Sequence, residues 1–316
     1  MDGVYFTRDL VNLPSNYIYP ETLANITKEE LEKFGVKVKI YEEKEIKELG
    51  MEAYLSVARG SSNKPRLIVM EYMNNSESTE KVALVGKGVT YDTGGYSIKP
   101  NDGMKTMFCD MGGAGTVIGT MLALAKNNVK TNVYGVVAAC ENSISGDAYK
   151  PGDIIGSMAG KTIEVDNTDA EGRLTLADAV YYASTVLKAD KIIDLATLTG
   201  ACLVALSEYY TGSVTNNKEL FKDILEASKE AGEPIWLLPT SDEFKQLNNS
   251  RVADIKNSGG RMGGTITAGL FIGEFVNNTP WVHLDIAGTA FLSKAYGYLP
   301  VGATGVHIKT LYNYLE

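Results

Sequence analysis

Short apolar runs rich in β-branched residues alternate along this chain with stretches whose apolar residues recur at helical spacing. That alternation restricts the fold more than any other feature. Strands read as "VKVKIY", "AYLSVAR", "RLIVMEY", "KVALVGK", "NVYGVVAAC", "KIIDLAT" and "WVHLDIAG", each short and bounded by polar or turn-forming residues. Helices read as "PETLANITKEELEKFG", "GTVIGTMLALAK", "RLTLADAVYYASTVLK", "KELFKDILEASKEAG" and the closing "HIKTLYNYLE". Pro20 stands at the start of the first, and Gly35 and Gly232 stand where helices should stop. Strands feeding helices in this order predict an α/β fold: three layers, α/β/α, around a central mixed, largely parallel sheet. No internal repeat or low-complexity linker interrupts it, so one domain over residues 1–316 is expected. "MNNSESTEK" reads as an exposed hairpin loop.

Composition narrows the function. Acidic residues outnumber basic ones by 39 to 30, a formal charge of -9, which repels phosphate backbones, and no Lys/Arg-rich run offsets it. Nucleic acid is a poor partner. Three cysteines, Cys109, Cys140 and Cys202, are too few and too scattered for a disulfide framework or a thiolate metal site, which fits a reducing compartment. No signal-peptide pattern and no apolar run of the ~18 residues needed to span a bilayer is evident. A cytoplasmic location without membrane attachment is the expectation.

In open α/β sheets, sites gather at the carboxyl ends of strands. Three Gly-rich polar segments occupy such positions: "GKGVTYDTGGYSIKP", "MKTMFCDMGGAG" and "VDNTDAEGR". The last brings Asp166, Asp169, Glu171 and Arg173 into one loop before a helix. Carboxylates that close repel one another and need solvent or cations. A solvated acidic turn that caps the helix is one reading. Asp92 and Asp110, in the other two loops, favour a second: oxygen ligands converging on divalent cations such as magnesium, manganese or zinc. Histidine contributes little to either, since the chain holds only His283 and His307 and His283 lies within a strand as a core residue. Lys87 and Lys99 flank Asp92. Each is either a salt-bridge partner or, beside cations, an amine with a lowered pKa that can bind metal. The residues alone leave both open.

"VGKGVTYDTGGYSIK", "MFCDMGGAG" and "NTDAEGRL", followed in order by "DLATLTGA" and "WVHLDIAGTA", resemble the motifs of the leucyl aminopeptidase (cytosol aminopeptidase) family. The similarity runs from "TRDLVNLPSNYIYPETLA" to the C-terminus, and "NTDAEGRL" is highly specific. The resemblance implies a zinc-exopeptidase-like fold and a two-metal aminopeptidase. Lys87, Asp92, Asp110, Asp169 and Glu171 would be the ligands, with Asp92 and Glu171 bridging both ions. Lys87 and Asp110 would complete the tighter site, and Asp169 the exchangeable one. Lys99 would stabilise the oxyanion, and Arg173 would hold a bicarbonate that shuttles protons. Met107, Thr197, Gly200 and Ala287 would line the pocket for the first side chain, with Leu- or Met-like residues favoured. Zinc or manganese would be the ions, with magnesium and cobalt also suited to such ligands. Peptides with a free N-terminus would be the substrates, and homo-hexamers the assembly.

Members of the family usually carry an additional N-terminal domain, and this chain starts where the catalytic domain would start. Phe108 and Cys109 stand where relatives commonly have Arg and Ala, which bears on substrate preference. Two phosphate-loop look-alikes fail. "GSMAGKT" is one residue short and leads into the strand-like "TIEV", and "GGAGTVIG" lacks the dinucleotide spacing. "SGGRMGGTITAGLFIGEF" reads either as a segment buried near the site and a subunit interface or as a mobile loop entering an ordinary helix. The rival functions are a catalytically inactive homologue used as a binding or scaffold protein, and a two-metal phosphatase. The first should have lost one of the seven ligand and catalytic positions. The second should add basic groups for phosphate, and most phosphatases use His ligands.

Overall fold

The structure is a computed structural model describing residues 1–316. Its centre is one eight-stranded sheet made of β1 (Lys37–Tyr41), β2 (Arg66–Met73), β3 (Val82–Asp92), β4 (Asn132–Asn142), β5 (Lys191–Ala196), β6 (Thr211–Thr215), β7 (Ile235–Leu237) and β8 (Trp281–Asp285), in the order β1-β2-β4-β3-β5-β8-β6-β7. β4, β3, β5 and β8 run parallel, and antiparallel pairings join β1 to β2, β2 to β4 and β8 to β6. The mixed sheet expected from the strand–helix alternation is therefore present, with its parallel part in the middle.

Helices cover both faces. On one face, Asp2–Asn12, Pro20–Glu32, Gly112–Lys126, Lys218–Ala231 and Ile308–Leu315 contribute to one apolar cluster. On the other, Glu43–Glu48, Glu52–Ala58, Gly172–Thr185 and Gly264–Gly273 contribute to a second. Local rules explain the ends. Pro20 opens its helix, Asn217 Oδ1 accepts from the Leu220 amide at 2.9 Å, and Gly232 terminates its helix at φ 69°.

Two expectations are corrected. "AYLSVAR" is helical, not a strand: Ala53, Tyr54, Val57 and Ala58 are buried as one helical stripe within Glu52–Ala58. Seven residues hold about two turns, too few for periodicity to separate helix from strand. The "MNNSESTEK" segment is not a hairpin loop, because β4 lies between β2 and β3 and pairs with both. For "SGGRMGGTITAGLFIGEF", Gly260, Arg261 and Met262 are exposed and lead into a helix, Gly264–Gly273, buried along most of its length.

The close approach of backbone to backbone decides where the helix after Asp110 lies. A Cβ on Gly113 would sit 2.0 Å from the Leu195 carbonyl oxygen, and one on Gly86 would sit 2.6 Å from the Gly113 oxygen. The helix Gly112–Lys126 therefore rests directly on β3 and β5. Gly113→Ala should lower stability by the upper part of the ~1–3 kcal/mol seen for overpacking. Urea unfolding measures it, and an unchanged midpoint would contradict the packing described.

Candidate metal centre

The four parallel strands end side by side, and each end delivers a polar side chain to the same place. β3 ends in Asp92, β4 in Asn142 and β8 in Asp285, and Thr197 follows β5 directly. The turn Met107–Cys109 adds Asp110 before the helix that rests on the sheet. The loop before the helix Gly172–Thr185 adds Asp169 and Glu171.

Lys87, Asp92, Asp110 and Glu171 are each at most 5% exposed. The Lys87 ammonium lies 2.7 Å from Asp110 Oδ2 and 2.8 Å from Glu171 Oε1, and it donates to the Thr197 carbonyl at 2.9 Å. Lys99 lies 2.8 Å from Asp92 Oδ2 and 2.6 Å from Asp169 Oδ1. The structure thus brings all five expected ligands and Lys99 into one cluster, and it places both lysines as salt-bridge partners of the carboxylates. Four carboxylates face two ammoniums, so with all six ionised the cluster carries two uncompensated negative charges.

Burial and neighbours set the ionisation. Burial alone pulls the Lys87 ammonium down, but Asp110, Glu171 and Asp92 more than offset it and hold it above its usual value. Lys99 is likewise pulled down by burial and raised overall, mostly by Asp92 and Glu171. Burial pushes Asp92, Asp110 and Asp169 up; like charge adds to this while the lysines oppose it. Burial brings the Arg173 guanidinium down to about 10 against the pull of Glu171.

These residues fit divalent cations. One oxygen from each of Asp92, Asp169 and Glu171 lies within 4.8 Å of the other two, a span a common cation can bridge. Asp110 Oδ2, Asp169 Oδ1 and Glu171 Oε2 are buried and accept no hydrogen bond, and the ammonium contacts to the first two lack hydrogen-bond geometry. Buried oxygens left in this state are costly unless something else meets them. Oxygen and amine donors suit hard or borderline ions. The histidines are elsewhere. His283 Nδ1 lies 2.7 Å from Asp194 inside the core, and His307 Nε2 lies 2.7 Å from the Thr211 hydroxyl, with burial dropping its pKa to about 3.

The cluster agrees with a match along the whole chain. A family model, the cytosol aminopeptidase family catalytic domain, matches residues 5–312. The chain belongs to the cytosol aminopeptidase family. It is 61% identical over 318 residues to a probable cytosol aminopeptidase of Treponema denticola, covering 100% of this chain and 67% of the relative. It is 59% identical to one from Clostridium tetani, covering 99% of this chain and 65% of that relative. It is 58% identical to one from Clostridium perfringens, covering 96% of this chain and 62% of that relative. The chain thus spans about two thirds of the length of these cytosol aminopeptidase relatives.

Several residues around the centre have roles that the sequence did not assign. Asn142 donates to Asp92 Oδ1 at 2.8 Å and to the Thr168 carbonyl at 3.0 Å, and the Gly94 amide also donates to Asp92 Oδ1 at 2.8 Å. Asp92 Oδ1 is thereby held, and Oδ2 is turned to the cluster. Asp285 accepts from the Thr199 hydroxyl at 2.6 Å and from the amides of Leu198, Thr199 and Ala287 at 3.2–3.4 Å. Thr197, expected only as pocket lining, donates to Asp110 Oδ1 at 2.8 Å. Gly200 opens the helix Gly200–Leu206 just after Leu198 and Thr199, whose amides Asp285 holds together with that of Ala287, and half-buried Met107 opens the turn that carries Asp110. Phe108 packs edge-on against Phe291, 5.8 Å between centroids, as part of the core. Gly172 in this family motif has a plain reason: a Cβ there would lie 2.5 Å from Lys87 Cε and 2.7 Å from its nitrogen.

Lys87→Met should expose the electrostatics directly. It leaves Asp110 and Glu171 without their ammonium, at a cost of about 3–5 kcal/mol in chelator-treated protein near neutral pH. The native carboxyls bind protons more tightly than unfolded ones, so this stability is greatest below pH about 4 and falls as pH rises above it. Lys87→Met should steepen that fall. Urea midpoints at several pH values measure it, and a variant whose pH dependence matches the native chain would contradict the assignment.

Proposed function

We propose that this chain is the catalytic part of a two-metal aminopeptidase that hydrolyses the first peptide bond of peptides with a free N-terminus. The observation that carries this reading is the convergence of one oxygen each from Asp92, Asp169 and Glu171 within 4.8 Å, with Glu171 Oε2 buried and unpartnered, at the strand ends of a cytosol aminopeptidase domain. Lys87, Asp92 and Asp110 with Glu171 would hold one ion, and Asp92, Asp169 and Glu171 the other, with zinc or manganese first among candidates and magnesium or cobalt compatible with the donors. Bound there, such ions supply Lewis acidity toward the scissile carbonyl and a water acidified for attack.

The residues of the chain do the rest. The Lys99 side chain, only partly exposed between Asp92 and Asp169, keeps an ammonium at the rim of the cluster, where it can donate to an oxyanion as charge develops. Arg173 Nε is buried without a partner, which suits a small planar anion such as bicarbonate in the role of proton shuttle. No side chain in the cluster is placed as a conventional histidine base, in keeping with that division of labour. Thr197, Gly200, Ala287 and Met107 then border the space for the first side chain of the substrate, with apolar first residues such as Leu or Met favoured.

All seven ligand and catalytic positions, Lys87, Asp92, Lys99, Asp110, Asp169, Glu171 and Arg173, are in place, which favours an active enzyme over a scaffold. Assembly into homo-hexamers is supported by exposed Tyr209, Tyr210, Trp236, Tyr296 and Tyr298, an aromatic surface larger than single scattered residues. Buried, unpaired Cys109, Cys140 and Cys202 suit a cytoplasmic location. No helix is long and apolar enough to cross a membrane.

The test is N-terminal blocking. A free peptide such as Leu-Gly-Gly should be cleaved after its first residue, and its N-acetylated form should be turned over at least 100-fold more slowly, as ~2.7 kcal/mol or more of transition-state binding goes with one anchoring group. Chromatography of both digests decides it. Equal cleavage of the two would contradict an amine-anchored aminopeptidase.

A further inference from the structure

We propose that Asn257 is a positioning residue for the metal centre: it fixes the loop that carries Asp169 and Glu171, and it orients Arg173. This rests on the two-metal reading of the site above. Asn257 lies just after the two-residue strand Ile255–Lys256, about ninety residues from the loop it touches, and it is fully buried.

The geometry uses every hydrogen-bonding capacity of its side-chain amide. Oδ1 accepts from the Asp166 amide at 2.9 Å and from the Asn167 amide at 3.2 Å. Nδ2 donates to the Asn167 carbonyl at 2.7 Å and to the Ala170 carbonyl at 3.3 Å. One side chain therefore pins the backbone on both sides of Asp169, up to the residue before Glu171. Within the loop, Asn167 Oδ1 accepts from the Asp169 amide at 2.8 Å, so the turn that aims Asp169 is anchored at the residue Asn257 holds. The Asn257 carbonyl also accepts from Arg173 Nη1 at 2.9 Å, which leaves Arg173 Nε unpartnered and free for the site. A single residue thus orients both an acidic ligand loop and the cation beside it.

A purely structural role has a different signature. Asn257 also extends the parallel pairing of Ile255–Lys256 with the strand Ile163–Glu164, its own amide donating to the Glu164 carbonyl at 3.0 Å. Asn248 serves the same corner: it is buried, donates to the Thr267 carbonyl at 2.8 Å, and its carbonyl accepts from the Lys256 amide at 2.8 Å. It makes no hydrogen bond to the 166–170 loop, so Asn248→Ala disturbs the scaffold while leaving the hydrogen bonds of that loop in place.

The experiment compares native chain, Asn257→Asp, Asn257→Ala and Asn248→Ala, each checked for native fold by near-ultraviolet circular dichroism. Asn257→Asp keeps size and one acceptor but presents oxygen to the Asn167 and Ala170 carbonyls. Manganese affinity is read by chelator competition, and kcat and KM are read with a free tripeptide. Both Asn257 variants should bind manganese 10–100-fold more weakly, the range for residues that orient ligands. Their kcat should fall while KM changes little. Asn248→Ala should keep native manganese affinity and kcat whatever its melting temperature. Native affinity in folded Asn257→Asp, or an equal loss in Asn248→Ala, would overturn the inference. A native chain that binds no manganese would overturn the metal reading itself, and this inference with it.

Discussion

Four carboxylates, three of them buried and Asp169 half-buried, are held together with only two ammoniums among them, and much of the chain is arranged to make that tolerable. Burial of Asp92, Asp110 and Asp169 disfavours their charge, and repulsion from neighbouring carboxylates adds to it. Lys87 and Lys99 oppose both effects by lying within 3 Å of two carboxylates each. Two cations in that space would supply the charge the lysines do not, and they would meet the buried oxygens that have no hydrogen bond. In the structure the two lysines serve as the internal counter-ions of the cluster.

The scaffold follows from the need to bring those groups in from distant parts of the chain. Parallel strands end on the same edge, so Asp92, Asn142, Thr197 and Asp285 meet without long connecting loops. Glycines allow the remaining approaches. Gly86 and Gly113 let the helix behind Asp110 rest on the sheet, and Gly172 leaves room for the Lys87 side chain. Around the ligands, neutral amides and hydroxyls fix which oxygen points inward. Asn142 and the Gly94 amide hold one oxygen of Asp92, and the Thr197 hydroxyl holds one of Asp110. Orientation by such partners is what usually separates a working metal site from a mere accumulation of acid.

Much of this was legible in the sequence, for identifiable reasons. Long apolar periods such as that in Gly172–Thr185 and strongly β-branched runs such as that in β2 announce themselves, because burial dictates every second or every third and fourth residue. The residues of the cluster were legible because "VGKGVTYDTGGYSIK", "MFCDMGGAG" and "NTDAEGRL" resemble the motifs of one family, whereas the carboxylates alone left a solvated acidic turn open. Residues 52–58 were not legible: a seven-residue run satisfies both periods, and the helix is chosen by packing that buries Tyr54 and lets its amide meet Asp178. The path from β2 to β3 was hidden too, because strand order is decided by pairing with β4, far along the chain. Asn142 and Asn257 act through contacts 26 to 91 residues away, and isolated polar residues at strand ends carry no local pattern. Phe108, read as a candidate for substrate preference, is half-buried with its ring edge-on to Phe291 against the core.

The central claim is that this carboxylate and lysine cluster is a two-ion centre, and counting ions tests it most directly. Metal-free chain is equilibrated with excess manganese, freed of unbound ion, and analysed for metal and protein together, beside Glu171→Gln, which preserves shape and removes the carboxylate that contacts Lys87. The account predicts about two ions per native chain and fewer than one in Glu171→Gln, since that carboxylate would serve both ions. Fewer than one ion in the native chain, or two retained in Glu171→Gln, would contradict it.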